Sequence, residues 1–241
     1  MEENKISIII PIAGIGRRMR SYGPKALIEL GGGTTVLQRQ LDIIQEIYPK
    51  SEIILVSGFE HTKIEKFVSN WKHNRVLGSK DIVIVENKNY ENENVARSIS
   101  LASSYCRYDK ILVIYGDLVF NKVTLAPQFY NTGLLIDTNN DFNKFEVGSI
   151  INKNIINNME YGLPNKWAHI GYFDRDTLYE FSDICYSNER YAKHYAFEIF
   201  NIMINNGKKF EAYYNERMKV VEIDYAKDID NARILHKSNS Y

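Results

Sequence analysis

Ile6-Ser7-Ile8-Ile9-Ile10-Pro11-Ile12-Ala13-Gly14-Ile15-Gly16-Arg17-Arg18-Met19, followed shortly by Pro24-Lys25, is the stretch whose reading decides the fold. Isoleucine at 6, 8, 9, 10 and 12 leaves no polar face, which predicts a strand over 6–12 buried on both sides. A glycine-rich loop runs from it through Pro24. Glycines directly after a buried strand let the backbone approach a ligand closely and point N–H groups inward, and such a turn can cradle phosphate oxygens. Arg18 would add a planar fork of donors and Lys25 a compact charge. Taken alone, the same Gly-x-Gly also reads as a plain strand-to-loop turn with solvated cations. Met19 stands where the dinucleotide fingerprint needs its third glycine, and no Gly-Lys-Ser/Thr phosphate loop exists.

Outward from this strand the pattern alternates. Apolar spacing predicts a helix over 35–47, a strand over 52–57, a helix over 60–71, a strand over 81–85, a helix over 94–105 and a strand over 110–115, ending at Gly116-Asp117. Such alternation predicts an α/β chain: a mostly parallel sheet, helices on both faces, right-handed crossovers. Ligands on such sheets sit beyond the C-terminal strand ends. Here those ends are 13–25, Ser57-Gly58, Glu86-Asn87 and Gly116-Asp117. The second half predicts strands over 134–137, 146–151, 168–173, 208–214 and 219–223, a long helix over 189–206 stopped by Gly207, and a final helix over 227–237. These are expected to complete the sheet and cover the cleft within one domain of 1–241.

A chain of 241 residues can build an ordinary core without metal or disulfide staples. Lys+Arg and Asp+Glu both number 30, so a broadly cationic nucleic-acid binder is not expected. Cys106 and Cys185 form no metal or redox pair, which points to a reducing cytosol. The Met1-Glu2-Glu3-Asn4-Lys5 start is acidic and the isoleucine run stops at Pro11, so neither a signal peptide nor a membrane span is expected.

Asp117 ends a predicted parallel strand, where a carboxylate is well placed to hold Mg²⁺. It reads equally as a turn-forming residue after Gly116. Glu222-Ile223-Asp224 puts two carboxylates on one face of a strand, so both can address one ion. An exposed acidic pair on an edge strand is the alternative. Asp228 suits a cap on the last helix, and Asn94 suits the N-cap of the 94–105 helix.

The order Gly14, Gly16, Arg18, Pro24, Lys25 resembles the nucleotidyltransferase family with the GT-A-like α/β fold, whose signature is a strand, then GxGxR, then PK. The short Arg-to-Pro-Lys gap is similar to that of cytidylyltransferases. Tyr115-Gly116-Asp117 stands where the methylerythritol-phosphate enzymes carry Asp-Ala-Ala-Arg, and is similar to sugar nucleotidyltransferases and bacterial phosphocholine cytidylyltransferases.

The resemblance implies a Rossmann-like, mostly parallel mixed sheet flanked by helices. Residues 1–120 would form the nucleotide-binding half. Residues 121–241 would form a smaller part that binds the acceptor and completes the metal site. It implies nucleotide contacts at Ala13, Gly14, Gly16, Arg18, Lys25, Ser57, Glu86, Asn94 and Ser98, catalytic roles for Lys25 and Arg18, and Mg²⁺ on Asp117, Glu222 and Asp224. Trp167, His169, Tyr172 and Glu198 are acceptor candidates, with Glu146, Tyr213 and Glu216 in the same half. Aromatic faces with carboxylates suit an amine or quaternary ammonium group.

The expected activity is transfer of a nucleotidyl group, CTP favoured, to a small phosphorylated acceptor, with release of pyrophosphate. The product would be an activated CDP-linked molecule for decorating a surface glycan or lipid. A cytoplasmic protein, without nucleic-acid or membrane partners and with a possible homodimer, is the accompanying expectation. The rivals are a sugar-1-phosphate nucleotidyltransferase using UTP, dTTP or GTP, and a non-catalytic nucleotide-binding module.

Overall fold

The run of isoleucines is buried on both sides because it forms the interior strand β1 (Ser7–Pro11). Ile9 points to one face of the sheet and Ile8 and Ile10 to the other, all fully buried. The computed structural model describes residues 5–73, 81–126, 129–138 and 144–238; the opening residues 1–4 lie outside it.

After β1 come the short strands β2 (Glu29–Gly31) and β3 (Thr34–Thr35), then α1 (Val36–Ile47), β4 (Glu52–Ser57), α2 (His61–His73), β5 (Ile82–Glu86), α3 (Val95–Ser103), β6 (Lys110–Ile114) and β7 (Leu118–Phe120). The second half adds β8 (Gly133–Asp137), β9 (Val147–Asn152), β10 (Ile155–Tyr161), β11 (Lys166–Asp174), α4 (Arg175–Ser187), α5 (Ala196–Asn205), β12 (Phe210–Tyr214), β13 (Val220–Glu222) and α6 (Asp228–Ser238).

Nine strands form one sheet in the order β5-β4-β1-β6-β11-β8-β12-β10-β9. β10 and β11 run against the other seven, so the sheet is mixed but mostly parallel, as expected. Helices α1 and α2 cover the face that buries Ile8 and Ile10, through Leu37, Leu41, Ile44, Ile64, Val68 and Trp71. Helices α3, α4 and α5 cover the other, through Ile99, Phe181 and Phe200 among others. Each such side chain contributes roughly 1.5–3 kcal/mol by burial, before the entropy of ordering it. The chain steps from β1 outward to β4 and β5, then returns to place β6 on the opposite side of β1. That reversal opens a crevice at the C-terminal ends of β1 and β6, the usual place for a ligand on an open α/β sheet.

The second half departs from the sequence reading in four ways. The helix expected over 189–206 is broken: a 3-10 turn covers Glu189–Lys193, Tyr195 is extended, and α5 begins at Ala196. Glu198 Oε2 accepts from Tyr195 N at 2.7 Å, satisfying a donor at that new helix start. Helix α4 fills a stretch left without an element, with Asp174 accepting from Thr177 N at 2.7 Å as its N-cap. Strand β10 pairs with β9 through Lys153 and Asn154, both at positive φ, the geometry of a tight hairpin turn. Finally, the strand expected over 219–223 does not join the main sheet. β13 pairs antiparallel with β7 as a separate two-stranded ribbon. No helix among the described residues is long and apolar enough to cross a membrane.

Candidate active site

The glycine loop is anchored by one side chain. Met19, inside the 3-10 stretch Arg17–Tyr22, is buried with Ile28, Leu30, Val36, Val119, Ile223, Ile229, Ala232 and Leu235. This small core joins the loop, the β2–β3 hairpin, the β7–β13 ribbon and α6. Met19 therefore occupies the position of the missing third glycine because the loop here needs an apolar peg rather than a close approach of helix to strand. Gly16 has φ +57, and the Lys25 stem lies where its side chain would be, with Cγ 3.2 Å from that position. Gly14 is exposed and has open space where its side chain would be.

Ribbon pairing explains why three distant carboxylates meet. Ile223 N donates to Asp117 O at 3.0 Å, continuing the β7–β13 register past Glu222↔Leu118. Ile223 is fully buried in the small core, so its neighbours Glu222 and Asp224 turn the other way, toward Asp117. Oxygens of Asp117, Glu222 and Asp224 lie within 4.8 Å of one another. The backbone of 224–225 is held by Asp228 Oδ2, which accepts from Asp224 N at 3.0 Å and Tyr225 N at 2.7 Å. Asp228 is thus the first residue of α6 and fastens the turn ahead of it.

Gly116 makes Asp117's position possible. A Cβ there would stand 2.0 Å from Ile12 Cγ2 and 3.1 Å from Pro11 O, where β1 ends. Gly116→Ala is expected to lower stability by about 1–3 kcal/mol through overpacking and to pull Asp117 off the cleft. Calorimetric melting checks this, and an unchanged melting temperature would mean that Ile12 turns aside without cost.

Lys25 sits among the carboxylates, its Nζ 2.9 Å from Asp117 Oδ2 and 2.7 Å from Asp224 Oδ1. Burial alone would drive its ammonium toward neutrality, but Asp117 and Asp224 outweigh that and hold it well above the ordinary lysine value. Asp117 moves upward, chiefly through burial, with Lys25 opposing and Glu222 adding to the rise. Burial also acts to raise Glu222, yet the His169 imidazole beside it brings the carboxyl down to about 2. His169 Nδ1 is 3.4 Å from Glu222 Oε1, and His169 has φ +56 in the irregular stretch of β11 between Trp167 and Gly171. Burial disfavours its imidazolium, but Glu222 lifts it above 6.5. Arg18 Nη1 reaches Asp224 Oδ2 at 3.4 Å, with its guanidinium 4.8 Å from the centre of the Tyr225 ring.

Three hard carboxylates within reach of one another, two of them on the Lys25 ammonium, fit a divalent metal: the donor set is right for it, and Lys25 already stands in for the charge.

Other predicted residues fare differently. Ala13 is buried beneath the cleft, its carbonyl accepting from Phe59 N at 3.0 Å, and Glu86 is exposed at the end of β5. Ser57 is fully buried and its hydroxyl is 2.6 Å from His61 Nδ1, so it shapes the β4 turn instead of facing the cleft. Ser98 is buried and accepts from Asn87 Nδ2 at 3.3 Å. Asn94 caps α3 through Val95 N at 2.7 Å and donates to Lys193 O at 3.2 Å, leaving its side chain occupied by structure.

Among the acceptor candidates, Trp167 is a buried wall whose indole N–H donates to Ile170 O at 3.1 Å. Tyr172 lies toward the opposite end of β11, paired with Leu112 and stacked on Phe129 with ring centres 5.4 Å apart. It is separated from His169 by the length of that strand segment and leaves the set. Tyr213 packs edge-on against the same Phe129, Glu146 pairs with Lys166 at 2.8 Å, and Glu216 is exposed in the turn before β13.

Sequence reasoning missed the exposed rings. Tyr161 and Tyr195 present half-exposed faces, 6.4 Å apart between centres, and Tyr161 meets Phe197 at 5.4 Å. The Tyr161 hydroxyl is pushed up to about 12, first by burial, then by Tyr195, Glu198 and Glu222. Two signals could have found them: the Asn152-Lys153-Asn154 turn between isoleucine pairs, and Glu198 three residues after Tyr195 as a helix-start pattern.

Solved structures share this architecture. The inositol-1-phosphate CTP transferase from T. maritima superposes with a TM-score of 0.78 at 15% identity, over 97% of this chain and 96% of that one. The CTP:phosphocholine cytidylyltransferase LicC from Streptococcus pneumoniae does so at 0.73 and 15%, over 96% and 99%. A UDP-glucose pyrophosphorylase complexed with UDP-glucose does so at 0.74 and 12%, over 96% and 98%. At these identities the likeness is one of fold. Among curated sequences, the bifunctional protein GlmU of Buchnera aphidicola (subspecies Schizaphis graminum) is 29% identical over 137 residues, 55% of this chain and 26% of that protein. The chain thus spans about a quarter of that relative. Residues 8–132, which carry the glycine loop, Lys25 and Asp117, match the model of the MobA-like NTP transferase domain, and the chain belongs to that family of nucleotidyltransferases.

Proposed function

We propose that this nucleotidyltransferase is a Mg²⁺-dependent cytidylyltransferase whose acceptor is a small phosphorylated compound or phosphonate bearing an amine or quaternary ammonium group. The observation that carries the acceptor class is the half-exposed Tyr161–Tyr195 pair beside Phe197, with Glu198 bonded to the Tyr195 backbone and the Glu222 charge felt at the Tyr161 hydroxyl. Ring faces attract a desolvated cation by about 0.5–2 kcal/mol, and Glu198 adds the opposite charge. The short step from Arg18 to Pro24-Lys25 supports CTP, by its similarity to cytidylyltransferases.

An acceptor phosphate oxygen attacks the α-phosphorus of the nucleotide, a new P–O bond forms, the α–β bridging bond breaks, and pyrophosphate departs with the electron pair. The attacking oxygen is already ionised, so no strong base is required. Backbone N–H groups of the 14–16 turn and the Arg18 fork bind phosphate oxygens. Lys25 neutralises charge where the reacting groups meet, and positioning with charge neutralisation supplies the rate. A cation on Asp117, Glu222 and Asp224 would offset phosphate charge. The reaction is assigned to the cytoplasm, and its product to the activation of a surface-glycan or lipid substituent.

The test is pyrophosphate release with CTP, UTP, dTTP, GTP and ATP, each crossed with phosphocholine, phosphoethanolamine, phosphorylated glutamine, aminoethylphosphonate and hexose 1-phosphates. CTP with an amine-bearing acceptor is expected to turn over best, and Tyr195→Ala to raise the KM for that acceptor several-fold with little change for the nucleotide. Turnover confined to hexose 1-phosphates with UTP, dTTP or GTP would assign a sugar-1-phosphate enzyme instead. Nucleotide binding without any turnover would support a non-catalytic module.

A further inference from the structure

We propose that Lys25, with Arg18 behind it, occupies the cation position in the ligand-free protein, so that metal alone is held off and enters together with nucleotide. The proposal rests on reading Asp117, Glu222 and Asp224 as the metal site. The Lys25 ammonium is 2.9 Å from Asp117 and 2.7 Å from Asp224, two of the three carboxylates whose oxygens lie within 4.8 Å of one another. A Mg²⁺ or Mn²⁺ ion bound to those carboxylates at about 2.0–2.2 Å would touch that ammonium, a like charge at contact distance. Arg18 reaches the other Asp224 oxygen at 3.4 Å, so both cations of the glycine-loop signature converge on one carboxylate. They are not equivalent. The Lys25 side chain is 16% exposed and that of Arg18 58%, so water screens Arg18 far more.

The loop is built for this seating. The Lys25 stem lies against Gly16, where any side chain would meet its Cγ at 3.2 Å, and Met19 pegs the loop into the same small core that holds Ile223 between Glu222 and Asp224. Phosphates of an arriving nucleotide offer Lys25 and Arg18 new anionic partners. Their departure frees the carboxylates for the metal that accompanies those phosphates. Positive coupling of metal and nucleotide then has two sources, direct chelation by phosphate and removal of the lysine. Only the second depends on Lys25.

Mn²⁺ binding to the full chain without nucleotide, followed by the paramagnetic signal of the free ion, separates them. Lys25→Met keeps the stem against Gly16 and removes the charge. It is expected to tighten nucleotide-free Mn²⁺ binding at least about tenfold, a small part of what a unit charge exerts at contact. Lys25→Arg should stay near wild type, and Arg18→Gln should tighten binding by less than Lys25→Met. Should melting curves show that Lys25→Met does not fold, Lys25→Gln makes the same measurement. Equal Mn²⁺ affinity in wild type and the neutral variant, with binding still lost in Asp117→Asn, overturns the proposal and leaves the metal site standing. No Asp117-dependent binding in any of these proteins overturns both.

Discussion

Lys25→Ala is expected to lower kcat by on the order of 10²–10³, the usual cost of losing one preorganised charge donor at a reacting phosphoryl group. The KM for nucleotide should change less, because Arg18 and the backbone of the 14–16 turn remain. The reason lies in the environment. Lys25 is mostly buried, held fully charged by Asp117 and Asp224, and supported along its stem by Gly16. Once nucleotide has drawn the ammonium from the carboxylates to its phosphates, the stem stays seated against Gly16, and a cation so placed needs no further reorganisation at the moment of reaction. Single-turnover measurements with saturating nucleotide test it, and turnover within a few-fold of wild type would remove Lys25 from the chemistry.

Asp117→Asn is expected to reduce turnover at a fixed low Mg²⁺ concentration by at least the roughly 10- to 100-fold that loss of even an outer-shell metal partner costs, with partial recovery as Mg²⁺ is raised. The metal-free protein should melt at the same temperature or higher. Asp117's carboxyl is pushed up, chiefly by burial, with Glu222 and Asp224 adding repulsion. An acid whose folded value lies above its unfolded one is a net cost to the fold above both values. At neutral pH the uncharged amide removes that cost while Lys25 keeps Asp224 as a partner. A structural role for Asp117 predicts the reverse, a lower melting temperature with an unchanged Mg²⁺ requirement. Thermal melts without metal, paired with Mg²⁺ titrations of turnover, distinguish the two.

The first half of the fold was legible because β1, β4 and β6 are interior and parallel to one another. Burial on both faces demands unbroken β-branched runs, as at Ile8–Ile10 and Ile53–Val56, and each run is followed by a helix of clear period. The second half is mixed and partly edge. Strand β10, Ile155–Tyr161, alternates buried Ile156 and Met159 with polar residues and an irregular register, so no uniform run marks it. The break before α5 was hidden because no glycine or proline interrupts the 189–206 stretch. The interruption comes from the extended backbone at Tyr195 and the Glu198 cap, which are tertiary choices.

The candidate site divides the same way. Gly14, Gly16, Arg18 and Lys25 are close in sequence, and Asp117 follows a strand, so local pattern alone marks them as one loop and one strand end. Glu222 and Asp224 could be paired from their alternation, but their meeting with Asp117 depends on Ile223 joining the β7–β13 ribbon, a contact across more than a hundred residues. Ser57 ends β4, while Asn94 caps α3 and Ser98 lies in its first turns. Their hydroxyl and amide groups are nonetheless committed to His61, the α3 cap and Asn87, and such commitments are made only when distant segments pack.

By itself, the order of residues determined the α/β class, the central strand and the glycine loop that follows it, because periodicity, β-branching and glycine act over a few neighbouring residues. The tertiary structure alone decided that Lys25 lies between two carboxylates, that Tyr161 and Tyr195 meet edge to face, and that Tyr172 lies toward the far end of its strand. Those are pairings between segments, and no local rule carries the register of a ribbon or the crossing of a helix over a sheet.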